Sequence, residues 1–143
     1  MKRLLIVTLM LMALLIGVAS CDKDEPDGKW PKMQWEVPDG IVDLGGAYVV
    51  PASGATYKFT CKNYKPWIAN IVEAVEDTVQ MATLNDFHFC EGSWYSVKCT
   101  DNDVTVTFKP RPADDYNHIL MVTLTAGDIF DYFAFIQNPQ LQE

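Results

Sequence analysis

Long apolar runs are nearly absent from this 143-residue chain. The one uncharged stretch of note, Leu4 to Ser20, covers seventeen residues, short for a helix that must cross about 30 Å of hydrocarbon. Basic side chains are also few. Eleven stand against nineteen acidic ones, a balance of −8, which argues against nucleic acid and anionic headgroups as partners because an acidic surface repels their phosphates. Uncharged glycans are not disfavoured by it. Histidine occurs only at His88 and His118, too few and too far apart for a zinc site, which wants four closed ligands at recognisable spacing. There is no G-x-S-x-G elbow, no glycine-rich phosphate loop and no EF-hand spacing. These gaps lead us to expect no enzyme, no cofactor and no metal.

What is present begins at the N-terminus. Lys2 and Arg3 form a positive n-region, Leu4 to Val18 an apolar stretch, and Ala19-Ser20 the small residues that signal peptidases accept. Val18-Ala19-Ser20-Cys21 resembles the lipobox of bacterial lipoproteins. The resemblance implies that residues 1–20 are removed and that Cys21 becomes the mature N-terminus, carrying a diacylglyceryl thioether and usually a further acyl chain. Two or more acyl chains anchor stably where one holds only marginally. Residues 22–28, DKDEPDG, contain no apolar side chain for a core and are interrupted by Pro26 and Gly28, as a solvated tether would be. An acidic, lysine-containing stretch directly after the lipidated cysteine resembles the lipoprotein export signal of Bacteroidetes. It implies an outer-membrane protein displayed at the cell surface, with a periplasm-facing lipoprotein as the alternative.

Loss of residues 1–20 leaves nine basic side chains against nineteen acidic ones, a balance of −10, on a chain long enough for one core. We assign 21–36 to the lipidated terminus and tether and 37–143 to the domain. Strand patterns dominate it. Residues 55–62 alternate Tyr57, Phe59 and Cys61 against Thr56, Lys58 and Thr60, and residues 103–109 alternate Val104, Val106 and Phe108 against threonines. Two segments rich in β-branched and aromatic residues, from His118 and from Asp128, are split by Gly127-Asp128. Turn residues recur at 38–40, 45–46, 53–54, 91–93 and 101–102, as a sandwich of short antiparallel strands requires. Residues 70–84 remain open: Ile71, Val72, Val75 and Val79 fit an amphipathic helix, whereas β-branched Val and Thr favour two short strands or a loop.

The back half, WYSVKCTDNDVTVTFKP, a polar loop, HILMVTLTAG and a last strand ending FAFIQNP, is similar to the BACON domains, as is SGATYKFTCKNYKPW before it. The similarity covers roughly residues 45–138. His118 stands where that family commonly has arginine. The resemblance implies an Ig-like β-sandwich of Bacteroidetes, often attached to glycan-degrading enzymes and proposed to bind carbohydrate or mucin. No ligand residues carry over from it.

Candidate sites follow from residue type. Sugars stack on exposed aromatic rings. Trp67 and Trp94 lie within strand patterns and are expected in the core, which leaves Trp30 and Trp35, between tether and first clear strand, as candidate ligand-binding residues. Asp101, Asn102 and Asp103, like Asp114 and Asp115, are explained as turn formers before calcium ligands. His88, Cys90 and His118 read as strand surface or satisfied core. With Cys21 lipidated, three cysteines remain. Cys61 shares a face with Tyr57 and Phe59, and Cys99 with Tyr95 and Val97, so we expect a Cys61–Cys99 disulfide across facing strands, with buried free thiols as the rival. Two functions are carried forward: a non-catalytic surface module binding glycan or mucin, and an accessory lipoprotein docked on a larger outer-membrane complex.

The anchor rests on one sulfur atom. Changing Cys21 to Ala should abolish palmitate labelling and move the protein from the detergent to the aqueous phase, leaving the domain folded.

Overall fold

The computed structural model describes residues 29–138. The leader, Cys21 and the acidic stretch of the tether lie outside the described residues. The chain divides into two units, Met1–Trp30 and Pro31–Glu143. Of the first, Lys29 and Trp30 are described, and the Trp30 ring is 63% exposed.

The second unit is built of strands alone among the described residues. In chain order they are β1 (Trp35–Glu36), β2 (Val42–Asp43), β3 (Tyr48–Val49), β4 (Ala55–Cys61), β5 (Trp67–Val75) and β6 (Thr78–Met81), followed by β7 (Phe89–Glu91), β8 (Tyr95–Thr100), β9 (Asp103–Phe108), β10 (His118–Thr125) and β11 (Phe130–Gln137). They form a five-stranded sheet in the order β1-β4-β9-β8-β7 and a six-stranded sheet in the order β2-β3-β11-β10-β5-β6. Pairing is antiparallel except between β3 and β11.

Alternation dictates the packing, because successive side chains of a strand point to opposite faces. From the first sheet Phe59, Tyr95, Val97, Val104, Val106 and Phe108 are buried. From the second come Ile68, Ile71, Leu120, Val122, Leu124, Phe133 and Phe135. The two sets meet ring on ring, with Phe59 stacked on Phe133 at 4.2 Å and Phe108 tilted on Phe135 at 5.0 Å. Gln137, fully buried, donates from Nε2 to the carbonyls of Pro51 and Lys109 at 2.9 and 3.3 Å, tying the end of β11 to the neighbouring connections. Every described strand and the whole buried cluster lie within Pro31–Glu143, so the core described is complete within this unit.

Two expectations are corrected and one open alternative is decided. The domain begins before residue 37. Trp35 and Glu36 pair with Cys61 and Thr60, Met33 is buried, and the Tyr64 hydroxyl and Asn63 amide donate to the carbonyls of Pro31 and Lys32 at 2.8 and 2.9 Å. Of the alternatives left open for residues 70–84, the strands are the ones formed. These residues carry most of β5, then β6, joined by a turn at Glu76-Asp77 in which Glu76 takes a positive φ of 54°. The Cys61–Cys99 disulfide is replaced by free, buried thiols at Cys61, Cys90 and Cys99. Both cysteines do point into the core, but from one sheet, with β9 between β4 and β8. Two strand spacings of about 4.8 Å separate their backbones, beyond the roughly 7 Å a disulfide spans.

The two outer faces differ sharply. On the five-stranded sheet the outward positions, apart from Phe89 on the edge strand β7, are mostly hydroxyls and ions, among them Thr56 bonded to Thr107 at 3.2 Å and Lys58 paired with Asp103 at 3.1 Å. On the six-stranded sheet the register aligns Val79, Ala74, Ile119, Ile136, Val49 and Val42 in one outward row. Met81, Val72, Met121 and Ala134 form the next, and Asn70, Thr123 and Tyr132 a third. None of these side chains is charged.

Two turn glycines separate backbone strain from steric conflict. Gly54 and Gly127 both have φ near +80° (82° and 80°), but a Cβ at Gly54 would lie 2.4 Å from the Phe108 carbonyl oxygen, whereas one at Gly127 meets nothing. Gly127→Ala should therefore cost about 1–2 kcal/mol from left-handed backbone alone, and Gly54→Ala clearly more, as read by denaturant unfolding.

Candidate functional site

Strand β3 is only two residues long and covers Phe135 and Ile136. Residues 131–134 of β11 consequently lack a strand neighbour on that side among the described residues, and the sandwich is open there. Trp35 of β1 comes across from the other sheet to the opening. Its ring sits edge-on to Phe133 at 4.8 Å, and its Nε1–H donates to Asp131 Oδ2 at 2.9 Å. Tyr48 packs between Phe59 and Phe135 at 5.5 and 5.7 Å. Asp43 holds the β2–β3 turn by accepting the Gly45 and Gly46 amides at 2.8 and 3.2 Å. Trp35, Asp43, Tyr48, Asp131 and Phe133, together with Tyr132, 58% exposed, line a cleft of about 310 Å³. Burial first, then the carboxylates of Asp43 and Asp131, push the Tyr48 phenol above its ordinary value, so it stays protonated and able to donate.

The cleft offers flat rings and two carboxylates, with no lysine or arginine in its lining. It can accept hydrogen bonds from hydroxyl or amine donors while a ring packs on an apolar face. It would repel an anion. A larger recess of about 490 Å³ lies beside β2 and β3, lined by Val42, Val49, Pro51, Ser53 and Tyr57 among others. Its phenol is already bonded, Tyr57 Oη to the Val49 carbonyl at 3.3 Å, leaving little chemistry beyond shape.

Of the four tryptophans, Trp94 is buried as expected and Trp67 is only half-buried. Trp35 proves to be part of the structure as well as of the cleft. Trp30 belongs to the other unit. Asp43, Tyr48, Asp131 and Tyr132 went unnoticed in the sequence. The available signal was the pair of exposed aromatics Phe130 and Tyr132 two residues apart on one strand face.

The remaining candidates each have local partners. Asn102 donates to the carbonyls of Cys61 and Tyr64, both at 3.0 Å, and Asp101 pairs with Lys65 at 3.5 Å. His88 is exposed against Asp86 while Cys90 is buried, so they share no site. Among the described residues no group of three or more His, Cys, Asp or Glu is placed to hold a metal ion. His118 is buried; its Nε2 bonds Asp114 at 3.0 Å, and its ring lies edge-on to Trp94 at 5.2 Å. Trp94 in turn donates to Glu73 at 2.9 Å. His118 Nδ1 has no hydrogen-bond partner among the described residues. Arg111 closes the same loop on the Asp114 carbonyl and carboxylate.

An all-β two-sheet sandwich with an aromatic, carboxylate-lined cleft at one open edge is the class these elements define. No family model and no curated protein matches the chain. Among solved structures it is similar to a protein from Bacteroides thetaiotaomicron determined by NMR, with 32% identity, a TM-score of 0.64, and coverage of 82% of this chain and 96% of that one. The chain belongs to the family of that protein. Two looser likenesses are to the twitchin kinase region of C. elegans (13% identity, 64% of this chain and 14% of that one, TM-score 0.38) and to a human PapD-like domain (14%, 84% and 94%, 0.31).

Acid should loosen the domain through two carboxyls. The Thr60 hydroxyl, then Lys58, hold Asp103 below the ordinary carboxylate range against desolvation. At Asp114 desolvation pushes upward but is outweighed by the hydrogen bonds from His118 and the Tyr116 amide, with Arg111 nearby, so it too lies low. A lowered folded pKa gives stability that is present above the unfolded value of about 3.9 and is lost as pH falls through the folded value. Thermal unfolding should therefore drop between roughly pH 4 and pH 2, and Asp114→Asn should make that drop shallower.

Proposed function

We propose that the chain is a lipid-anchored, surface-displayed module of Ig-like, BACON type that binds neutral glycan without catalysing a reaction. The observation that carries this reading is the edge cleft. Trp35, Tyr48 and Tyr132 bring ring surface to a place where Asp43 and Asp131 offer acceptors and no cation competes for them. Pyranoses present that combination in reverse, an apolar face of C–H groups and a rim of hydroxyl donors. The acidic balance of the chain is compatible with an uncharged polymer and unfavourable for a polyanion. The lipobox-like Cys21 supplies the anchor, and the acidic stretch after it supports outward display.

The cleft is open and shallow, so binding of a single sugar unit should be weak, about 0.1–1 mM. Many anchored copies facing one polymer would raise it by avidity.

Titration of the unit Pro31–Glu143 with glycans selected on an array tests this, with unfolding measured in parallel. Tyr132→Ala should leave stability within about 0.5 kcal/mol, as is usual for an exposed side chain, yet weaken binding about tenfold. Trp35→Ala should lose binding and also about 2 kcal/mol of stability, since it removes a half-buried ring and a hydrogen bond. A wild-type screen with no glycan hit would transfer the case to an accessory role in a larger outer-membrane assembly.

A further inference from the structure

We propose that the uncharged outer face of the six-stranded sheet is the contact surface of a homodimer in which two copies pack sheet on sheet. Tyr132 belongs to the cleft; the twelve other outward positions, drawn at the chain's 21% of charged residues, would carry about two or three ions. They carry none. Their large side chains stand in solvent: Val79 and Met81 are each 69% exposed, Met121 40% and Ile119 38%. An apolar field running over six strands in one direction is larger than scattered surface hydrophobics explain. The outer face of the other sheet, with Lys58, Asp103 and a set of threonines, shows that the fold itself imposes no such composition.

A second copy is the occupant that fits. Each copy carries a net charge of −8, and like-charged molecules meet at least cost where no ion must be desolvated. A partner recognised through charge would find nothing here to pair with, whereas an uncharged, largely apolar sheet face can pair with its own copy across a two-fold axis. Strand spacing of about 4.8 Å and about 6.8 Å between alternate residues give the face roughly 400 Å² in plane. Side-chain relief adds to that, so two copies would bury about 1,000 Å² in total, the size of a weak, concentration-dependent interface. The sheets would lie about 10 Å apart, as in any sandwich.

Sedimentation equilibrium of the unit Pro31–Glu143 between 5 and 500 µM, at low and high salt, tests the proposal. The wild type should pass from monomer to dimer across that range, and salt should favour the dimer by screening repulsion between the copies. Met121→Lys should weaken association at least tenfold. Val79→Lys, on the exposed edge strand, should do the same and serves if Met121→Lys fails to fold. Thr105→Lys, on the opposite outer face, should leave it unchanged. A wild type that stays monomeric at 500 µM in both salts, or lysine variants that are folded and dimerise normally, would overturn the assignment. So would a monomer that instead floats with neutral phosphatidylcholine vesicles, which would make a lipid surface the occupant.

Discussion

The stacking of Phe59 on Phe133 is the contact on which the rest of the molecule depends. It joins the middle of β4 to the middle of β11, one from each sheet, and so sets the distance and offset of the two layers. Tyr48 tilts on Phe59, Phe135 meets Phe59 edge-on, and Phe108 tilts on Phe135 in turn, geometries that ring quadrupoles prefer to face-to-face contact. With the layers held in this offset, β1 is carried to the edge of β11, and Trp35 reaches Phe133 and Asp131. The cleft is thus a by-product of core packing: the same Phe133 that anchors the sandwich forms one wall of the opening.

That dependence explains what could be read from the residues and what could not. Alternation at 55–62 and 103–109 announced β4 and β9 because period two is a local property. The inward placement of Phe59, Cys61, Tyr95, Val97 and Cys99 followed from it. Trp35 was marked as a ligand candidate, but its strand and its partners were not legible, because β1 has two residues and no period and those partners lie 96 and 98 positions later in the chain. The early start of the domain was hidden for the same reason, since Pro31 and Lys32 are held by Tyr64 and Asn63 from the far end of β4.

The cysteine error has a different origin. Both side chains were placed on the right face, but facing strands and alternate strands of one sheet give the same inward pattern. Only sheet order separates them. The uncharged outer face was visible in outline, for HILMVTLT is apolar at both parities, while β4, β8 and β9 alternate strictly. A strand apolar on both sides is ordinarily one covered on both sides.

The three buried thiols shape the way this domain fails. Desolvation pushes Cys99 up to about 12 and raises Cys90 as well, with Glu73 contributing at Cys90, so the reactive thiolate is scarce while the sandwich is closed. The unfolded chain has no such protection. Cys90 and Cys99 return to ordinary acidity there, and in the presence of an oxidant the freed thiols pair in combinations the native sheet cannot accommodate. Each excursion out of the native state then risks a covalent trap, and the lifetime of the protein in an oxidising medium is set by its rate of unfolding rather than by its equilibrium stability.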